Sequence, residues 1–558
     1  MMASLTESIL EKAESHSRML EICLAELSQL AEAVKTRSKI PVTGLRSFTK
    51  ALKEHQDTLH TVPKGVGDFP DGEESTERLK KLNVKMENVT TELNFAYLKW
   101  NCIKRSQNVT AFNRTFMGMS RQERKKQISQ LNLENPDKAK HISRIYRERA
   151  RAAVDVVDWG REWLYSRLLR QDRLARSMTD CGWSWGDYEL GDKVDPFEWE
   201  DVLLVKQVQR LVLAARANRC DYQIPRIRVV LPKVSRSNKD IAVFLEQVCN
   251  MDELVEIIIE DGDGLFMATP EPSLEKALEN LTGNELDNIT TTLNLDQTIL
   301  IDLISDITHL RLEPNSTQSK STREHIEHER RDEGAMVKEL YPILEGRELL
   351  CTKEAANHFH EILGTVGTES EKARGRLLVP ISAELNGETS SETLKGSARE
   401  QFNTMTKHPL PVKVQFPIII LSTEWSGTTI SDAVQAGTLP TAAVPISQVS
   451  HFTDSKRSIY MFGWASGHTT LTSNKEIRGQ FRTMVEAQRQ GPADAALQGP
   501  RIWPLSVTRN LLAKVKKERR PKEERDSLKE DLRDDEDPGE PTIDAIDKDE
   551  IDGEEDER

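Results

Sequence analysis

Between Pro225 and Ile259 the chain carries an apolar run, Ile227-Arg228-Val229-Val230-Leu231, then a helix-like stretch from Asp240 to Cys249, then a second run, Leu254-Val255-Glu256-Ile257-Ile258-Ile259. Two short β-branched runs separated by one helix length make a β-α-β unit, which pairs its strands in parallel and demands an α/β layer. Glu260-Asp261-Gly262-Asp263-Gly264 closes the second run. It imitates a metal loop, but the later ligands of an EF-hand are missing, and acids and glycines are the residues that turns select.

The segment Thr292-Leu-Asn-Leu-Asp296-Gln-Thr298-Ile-Leu300-Ile301 reads as a buried strand ending on a carboxylate, with a hydroxyl two residues later and an apolar helix start beyond. In an open α/β sheet, ligands collect outside the strand ends, so Asp296 is a candidate for holding a metal or a phosphate. The alternative is that Asp296 caps the helix that follows, as Asp commonly does.

Asp296, Thr298, Leu300 and Ile301, with His325 to Leu363 and Gly364 to Arg374 after them, resemble the eukaryotic family known as domain of unknown function 1308, whose C-terminal half is PIN-like, the nuclease fold named after the PilT N-terminus. Asn108-Val-Thr110 and the stretch from Val154 to Trp163 look like that family's N-terminal domain. The resemblance implies an α/β fold: an N-terminal helical plus α/β domain at 1–268, a linker at 269–288 and a PIN-like parallel-sheet α/β/α domain at 289–515.

PIN nucleases cluster carboxylates at strand ends, where Mg²⁺ or Mn²⁺ neutralises them and activates a water. The resemblance places the first acid at Asp296. The second position holds His358, with Glu361 one helical turn later as a weak substitute, its carboxylate displaced by about 5 Å along the axis. The segment Met461 to Lys475, where the resemblance expects the remaining acids, contains no Asp or Glu; Ser466, Thr472 and Asn474 stand there instead. One matched carboxylate and an amide bind a hard divalent ion weakly, so the resemblance implies a degenerate, non-catalytic PIN-like domain acting in RNA or protein interaction. Asp296 is then a vestigial catalytic residue, with no cofactor and no assigned metal ligand. The competing reading is a Mg²⁺- or Mn²⁺-dependent ribonuclease using Asp296 with Asp302, Asp306 or Glu361.

Arginine and aromatic residues interleave most densely between Lys140 and Arg176. Arg147, Arg161 and Arg170, with Trp159 and Trp163, are candidate RNA contacts, through charge neutralisation and base stacking. The bland alternative is a helix pair with its tryptophans in the core and its arginines in water.

Among 558 residues the net charge of -14 is concentrated at one end: Asp526 to Arg558 holds 17 acidic and 4 basic residues. So charged and apolar-poor a segment cannot offset the entropy of ordering, and 516–558 is expected to be a disordered acidic tail. Before it, Lys514 to Lys522 is a basic run that reads equally as a nuclear import signal or a solvated helix end. The six cysteines are scattered without a CxxC pair, against a zinc site or disulfide framework. With neither an N-terminal apolar leader nor about 18 consecutive apolar residues, the expectation is a cytoplasmic or nuclear chain with no membrane contact.

Helical spacing predicts two amphipathic helices over residues 4–60, broken near Ile40-Pro41, a loop from Pro63 to Ser75, and helix again from Leu79 to Trp100. Pro411 to Leu421 reads as paired strands, with Pro417 at an edge or bulge.

Overall fold

The structure, a computed structural model, describes residues 2–37, 42–66, 73–131, 136–316, 318–381, 392–450 and 452–512. The expected tail at 516–558 and the basic run at 514–522 lie outside the described residues.

Three long helices come first: Met2–Arg37, Leu45–Val66 and Glu73–Lys104. Their buried residues recur three, four or seven apart (Ile9, Ala13, Leu20, Leu27; Leu52, Leu59, Val62; Leu79, Met86, Leu93), so each helix turns one apolar stripe into a shared core. The expected loop from Pro63 to Ser75 is helical at both margins, and only 67–72 remain outside the described residues. Burial of Leu59 and Val62 carries the second helix on through its proline and glycine.

The first sheet has the order β1 (Val109–Met117), β2 (Arg151–Asp158), β3 (Glu162–Ser166), β4 (Arg226–Leu231), β5 (Ile257–Asp261). The β1–β2 and β2–β3 pairings are antiparallel, and β3–β4 and β4–β5 are parallel. The β-α-β unit is present, with the helix Lys239–Cys249 between β4 and β5; Asn238 caps it by accepting the Ile241 N–H at 3.1 Å. Strand alternation divides the layers. Trp163, Tyr165, Ile227, Val229 and Leu231 pack with the helices Leu203–Ala217 and Lys239–Cys249, whereas Leu164 and Val230 join the core of the three long helices. The sheet is therefore covered on both faces.

The region from Lys140 to Arg176 is not a helix pair: the helix Pro136–Ala150 runs directly into the β2–β3 hairpin, and a second helix begins only at Gln171. The β-branched run Val154-Asp155-Val156-Val157 decides this, because such residues fit a pleated, half-buried surface.

The second sheet has the order β10 (Ile502–Pro504), β9 (Thr469–Thr472), β6 (Thr292–Leu295), β7 (Glu348–Cys351), β8 (Ile419–Ile420). β6 is parallel to β7 and to β9, and β9 is parallel to β10. Pro411 to Leu421 forms only the two-residue β8 rather than paired strands; Pro411 and Pro417 bring no N–H to a ladder. The apolar run Ser458 to Gly463 belongs to the helix Asp454–Ser466.

The chain divides into two compact units. The first is Met1–Asp296, Ile343–Ala355 and Ile420–Ser506, and it contains all of both sheets except Ile419. The second is Gln297–Pro342, Ala356–Ile419 and the chain from Val507 onward.

The second unit is built around Arg374, which is fully buried. Its Nε donates to the Ile304 carbonyl (3.0 Å), an Nη donates to that of Met405 (2.9 Å), and the guanidinium pairs with buried Asp306. Asp306 also accepts from the hydroxyls of Thr368 (2.6 Å) and Ser370 (2.7 Å). A cavity of about 550 Å³ beside this pair is lined by Arg311, Ser370, Arg374, Thr404, Thr406 and Lys407 among others. The segment Val507 to Leu512 is held in the same unit by carboxylates. The N–H groups of Val507, Arg509 and Leu512 donate to Glu339, Asp302 and Glu371, and the Arg509 guanidinium meets Glu329 at 2.8 Å.

His309 in this unit is 1 % exposed, with its ring nitrogens 2.6 Å from the Thr406 hydroxyl and 2.7 Å from the Leu303 carbonyl. Burial first, and the Arg374 charge second, push its pKa from 6.5 down to about 3. Between those values the unfolded chain binds the proton and the folded chain does not, so stability falls as pH drops through this window, by at most about 1.4 kcal/mol per unit. Urea midpoints at pH 7 and pH 5 should differ less in His309→Gln than in wild type; equal differences would show that other groups carry the effect.

Candidate site at the end of strand β6

The chain passes from β6 to β7 on one side and later returns to β9 on the other, so the C-terminal end of β6 is the topological switch point of the second sheet, where a ligand crevice is expected. Asp296 is the residue immediately after β6. Its backbone N–H continues the ladder to the Leu471 carbonyl (3.0 Å), which fixes the carboxyl at the sheet end. The side chain is only 3 % exposed. Oδ2 accepts two hydroxyl hydrogen bonds, from Thr472 at the end of β9 (2.5 Å) and from Tyr460 on the helix Asp454–Ser466 (3.1 Å). Burial, followed by the Asp296 charge, raises the Tyr460 phenol well above its ordinary pKa, so it stays protonated and remains a donor.

The contacts beside this carboxylate are polar as well. Asn294 donates to the Ile459 carbonyl (2.8 Å) and the Thr470 hydroxyl (3.0 Å), and the hydroxyls of Thr352 and Ser458 meet at 2.7 Å. Gly463 lets the helix come this close to β9, since a Cβ there would lie 2.2 Å from the Thr470 hydroxyl. Hydroxyls and amides thus connect the helix Asp454–Ser466 to β6, β7 and β9, while the apolar sides of Ile459, Tyr460 and Met461 fill the core beneath.

The other expected positions have separate surroundings. Thr472 touches Asp296, as given above. Asn474 folds back locally, its side-chain oxygen accepting the Glu476 N–H (3.1 Å). Ser466 ends its helix, exposed, and its hydroxyl donates to the Phe462 carbonyl (2.8 Å). Because it precedes β9 while Asp296 follows the parallel β6, Ser466 lies at the opposite edge of the sheet, about 13 Å away along a four-residue strand. Thr298, His358 and Glu361 belong to the second unit. His358 Nδ1 is 3.3 Å from a Glu361 oxygen, and the two side chains are 44 % and 75 % exposed. Asp302 and Asp306 are buried there and bonded to Arg509, Thr508, Arg374, Thr368 and Ser370. Among the described residues, no group of three His, Cys, Asp or Glu side chains could hold a metal ion.

Tyr460 is the residue that sequence reading missed. A tyrosine inside Ser458-Ile-Tyr-Met-Phe looks like core, and only the helical period, which places it over the sheet end, would have marked it.

The arginine candidates are dispersed. Arg147 is exposed on the helix before β2, and Trp163 is buried in β3 beneath Phe116. Arg161 and Trp159 form the β2–β3 turn. Arg170 lies beyond the other end of β3 and pairs with Asp172 at 3.1 Å.

The fold and this site define a mixed helix-and-strand protein whose parallel sheet carries a hydroxyl-bonded carboxylate at its switch point. Residues 293–407 match the family described as protein of unknown function (DUF1308), so a DUF1308 domain is present there. No curated protein and no solved structure matches the chain. No described helix is long and apolar enough to cross a membrane.

Proposed function

We propose that residues 289–515 form a PIN-like domain whose acidic metal site has degenerated, preceded by an N-terminal domain at 1–268 and a linker at 269–288. The chain then acts in the cytoplasm or nucleus by holding RNA or protein rather than by cutting RNA. The observation that carries this reading is the state of Asp296: a carboxylate at 3 % exposure whose Oδ2 already accepts from Tyr460 and Thr472. Hydrogen bonds to the charged form satisfy it without a cation. A hard divalent ion seeks six or more oxygens, several of them charged, and the groups bonded to Asp296 Oδ2 are neutral hydroxyls rather than further carboxylates. His358 in place of the second acid, and an Asn474 oxygen turned onto its own backbone, support the same reading.

Calorimetric titration with Mn²⁺ is the direct test of binding. The expected result is no saturable site below millimolar concentration, in wild type and in Asp296→Asn alike. Asn keeps an oxygen that accepts from both hydroxyls, so this variant should lose no more than about 1 kcal/mol of stability. Micromolar Mn²⁺ binding that disappears in Asp296→Asn would favour the ribonuclease reading.

A further inference from the structure

In the first unit two tight turns pack back to back. Asp158-Trp159-Gly160-Arg161 closes the β2–β3 hairpin, with Arg161 N–H donating to Asp158 O at 2.8 Å and positive φ at both central residues, +46° at Trp159 and +68° at Gly160. Cys220-Asp221-Tyr222-Gln223 repeats the pattern, with two 2.9 Å bonds between Cys220 and Gln223 and φ of +45° at Asp221 and +71° at Tyr222. The Cys220 thiol donates to the Trp159 carbonyl (3.4 Å), and a Cβ on Gly160 would lie 2.4 Å from that sulfur. The Trp159 N–H in turn donates to the carbonyl of Asn108, itself at φ +49°.

Turns of this kind select Asn-Gly, so tryptophan at the first central position and Asp-Tyr in the second turn are unusual choices. Backbone held in a sparsely populated region and gathered at one place points to function. Among the described residues, four of the five non-glycine residues with positive φ meet here: Asn108, Trp159, Asp221 and Tyr222.

The charge at this place is unbalanced. Asp221 accepts from both Arg478 (2.5 Å) and Arg482 (2.9 Å), one turn apart on the helix Ile477–Ala487, with these three side chains 37–42 % exposed. Arg161 is exposed and forms no ion pair among the described residues. Arg161 directly follows Gly160, whose backbone packs on the Cys220 sulfur, and Arg478 and Arg482 bond to Asp221 beside that cysteine, so all three residues stand by the paired turns. The buried Arg482 Nε has no partner. Asp158 opens the same turn but accepts the Gln107 N–H (2.9 Å), and Glu486 pairs with Arg219 and Arg489, so Asp221 is the carboxylate that meets these accessible guanidiniums, beside a half-buried indole.

We infer that Trp159, Arg161, Arg478 and Arg482 form a binding face for single-stranded RNA, the guanidiniums meeting successive phosphates and Trp159 stacking on a base. This rests on the reading of the chain as a binder and names its partner. Phosphate charge explains the surplus arginines, and the unusual tryptophan supplies the stacking platform that RNA uses and an acidic peptide does not need. Asp221 positions two of the guanidiniums and weakens the field they present.

The test is fluorescence anisotropy of a labelled single-stranded RNA 20-mer with the full chain, in EDTA. The triple variant Arg161→Ala, Arg478→Ala, Arg482→Ala should bind at least tenfold more weakly, and its slope of log affinity against log salt should fall by about two, at about 0.7 per phosphate. Trp159→Asn should weaken binding by about tenfold while keeping the turn, since Asn accepts positive φ. Asp221→Asn, tolerated for the same reason, should bind more tightly. Equal affinity in wild type and the triple variant, or no binding by a folded wild type, would overturn the inference. So would competition by polyglutamate as effective as that by unlabelled RNA, together with an inert Trp159→Asn, which would point to an acidic protein. Shortening of the RNA when Mg²⁺ replaces EDTA would instead contradict the non-catalytic reading and leave this order of affinities as it stands.

Discussion

Arg374→Ala should lower the stability of the second unit by about 3–5 kcal/mol, the cost expected when one partner of a buried ion pair is removed. The guanidinium is fully buried, joins Asp306 and closes the carbonyls of Ile304 and Met405, so its loss leaves the buried Asp306 with only the Thr368 and Ser370 hydroxyls and no counter-charge, and takes a donor from each of the two carbonyls. Lysine would not restore the site, because a single ammonium cannot present the planar fork that reaches three acceptors. Chemical denaturation of wild type, Arg374→Ala and Arg374→Lys measures this directly. A loss below 1 kcal/mol in the alanine variant would mean that water enters the site and replaces the guanidinium.

The second large effect concerns where the folded chain ends. A chain stopped after Leu512 keeps every hydrogen bond described for Val507 to Leu512, and its thermal midpoint should match that of the full chain. A chain stopped after Ser506 loses the donors that face Asp302, Glu329, Glu339 and Glu371, of which Asp302 and Glu371 have no exposure. Each of these carboxylates loses a donor, Glu371 keeping the Thr368 and Asp306 N–H groups and Glu329 that of Gly334, and removing donors from buried carboxylates costs several kcal/mol in all, so the midpoint should fall by several degrees or the second unit should fail to fold. Equal midpoints for the two truncations would show that the segment contributes nothing to the second unit.

The fold was legible wherever burial imposes a period. Val229 and Val230, Phe244 and Leu245, and Ile257 and Ile259 show strand, helix and strand in turn, and the stripe from Ile9 through Leu30 shows its helix. Reading failed where neighbours that are distant in sequence decide the structure. Val412, Val414 and Phe416 look like a strand, but the prolines among them leave too few donors for a ladder. Trp159 and Trp163 suggested a helical core, while Val154 to Val157 between the arginines made a strand. Asp296 was visible because a carboxylate after an apolar strand is rare and consequential. Its acceptor role was hidden, because Tyr460 and Thr472 lie more than 160 positions away in the chain. Ser466 and Asn474 were placed by resemblance, which gives an order along the chain but not which edge of a sheet a residue occupies. Asp221 and Tyr222 gave no sequence signal, since positive φ is ordinarily announced by Asn or Gly.

The proposed role of Asp296 is that of a hydrogen-bond acceptor for Tyr460 and Thr472 and not that of a metal ligand. Incubating purified full-length protein with end-labelled single-stranded and hairpin RNA, in Mg²⁺, Mn²⁺ or EDTA, beside Asp296→Asn, tests it most directly. The expected result is the same intact RNA in all lanes for both proteins. Metal-dependent cleavage by wild type that vanishes in Asp296→Asn would contradict it.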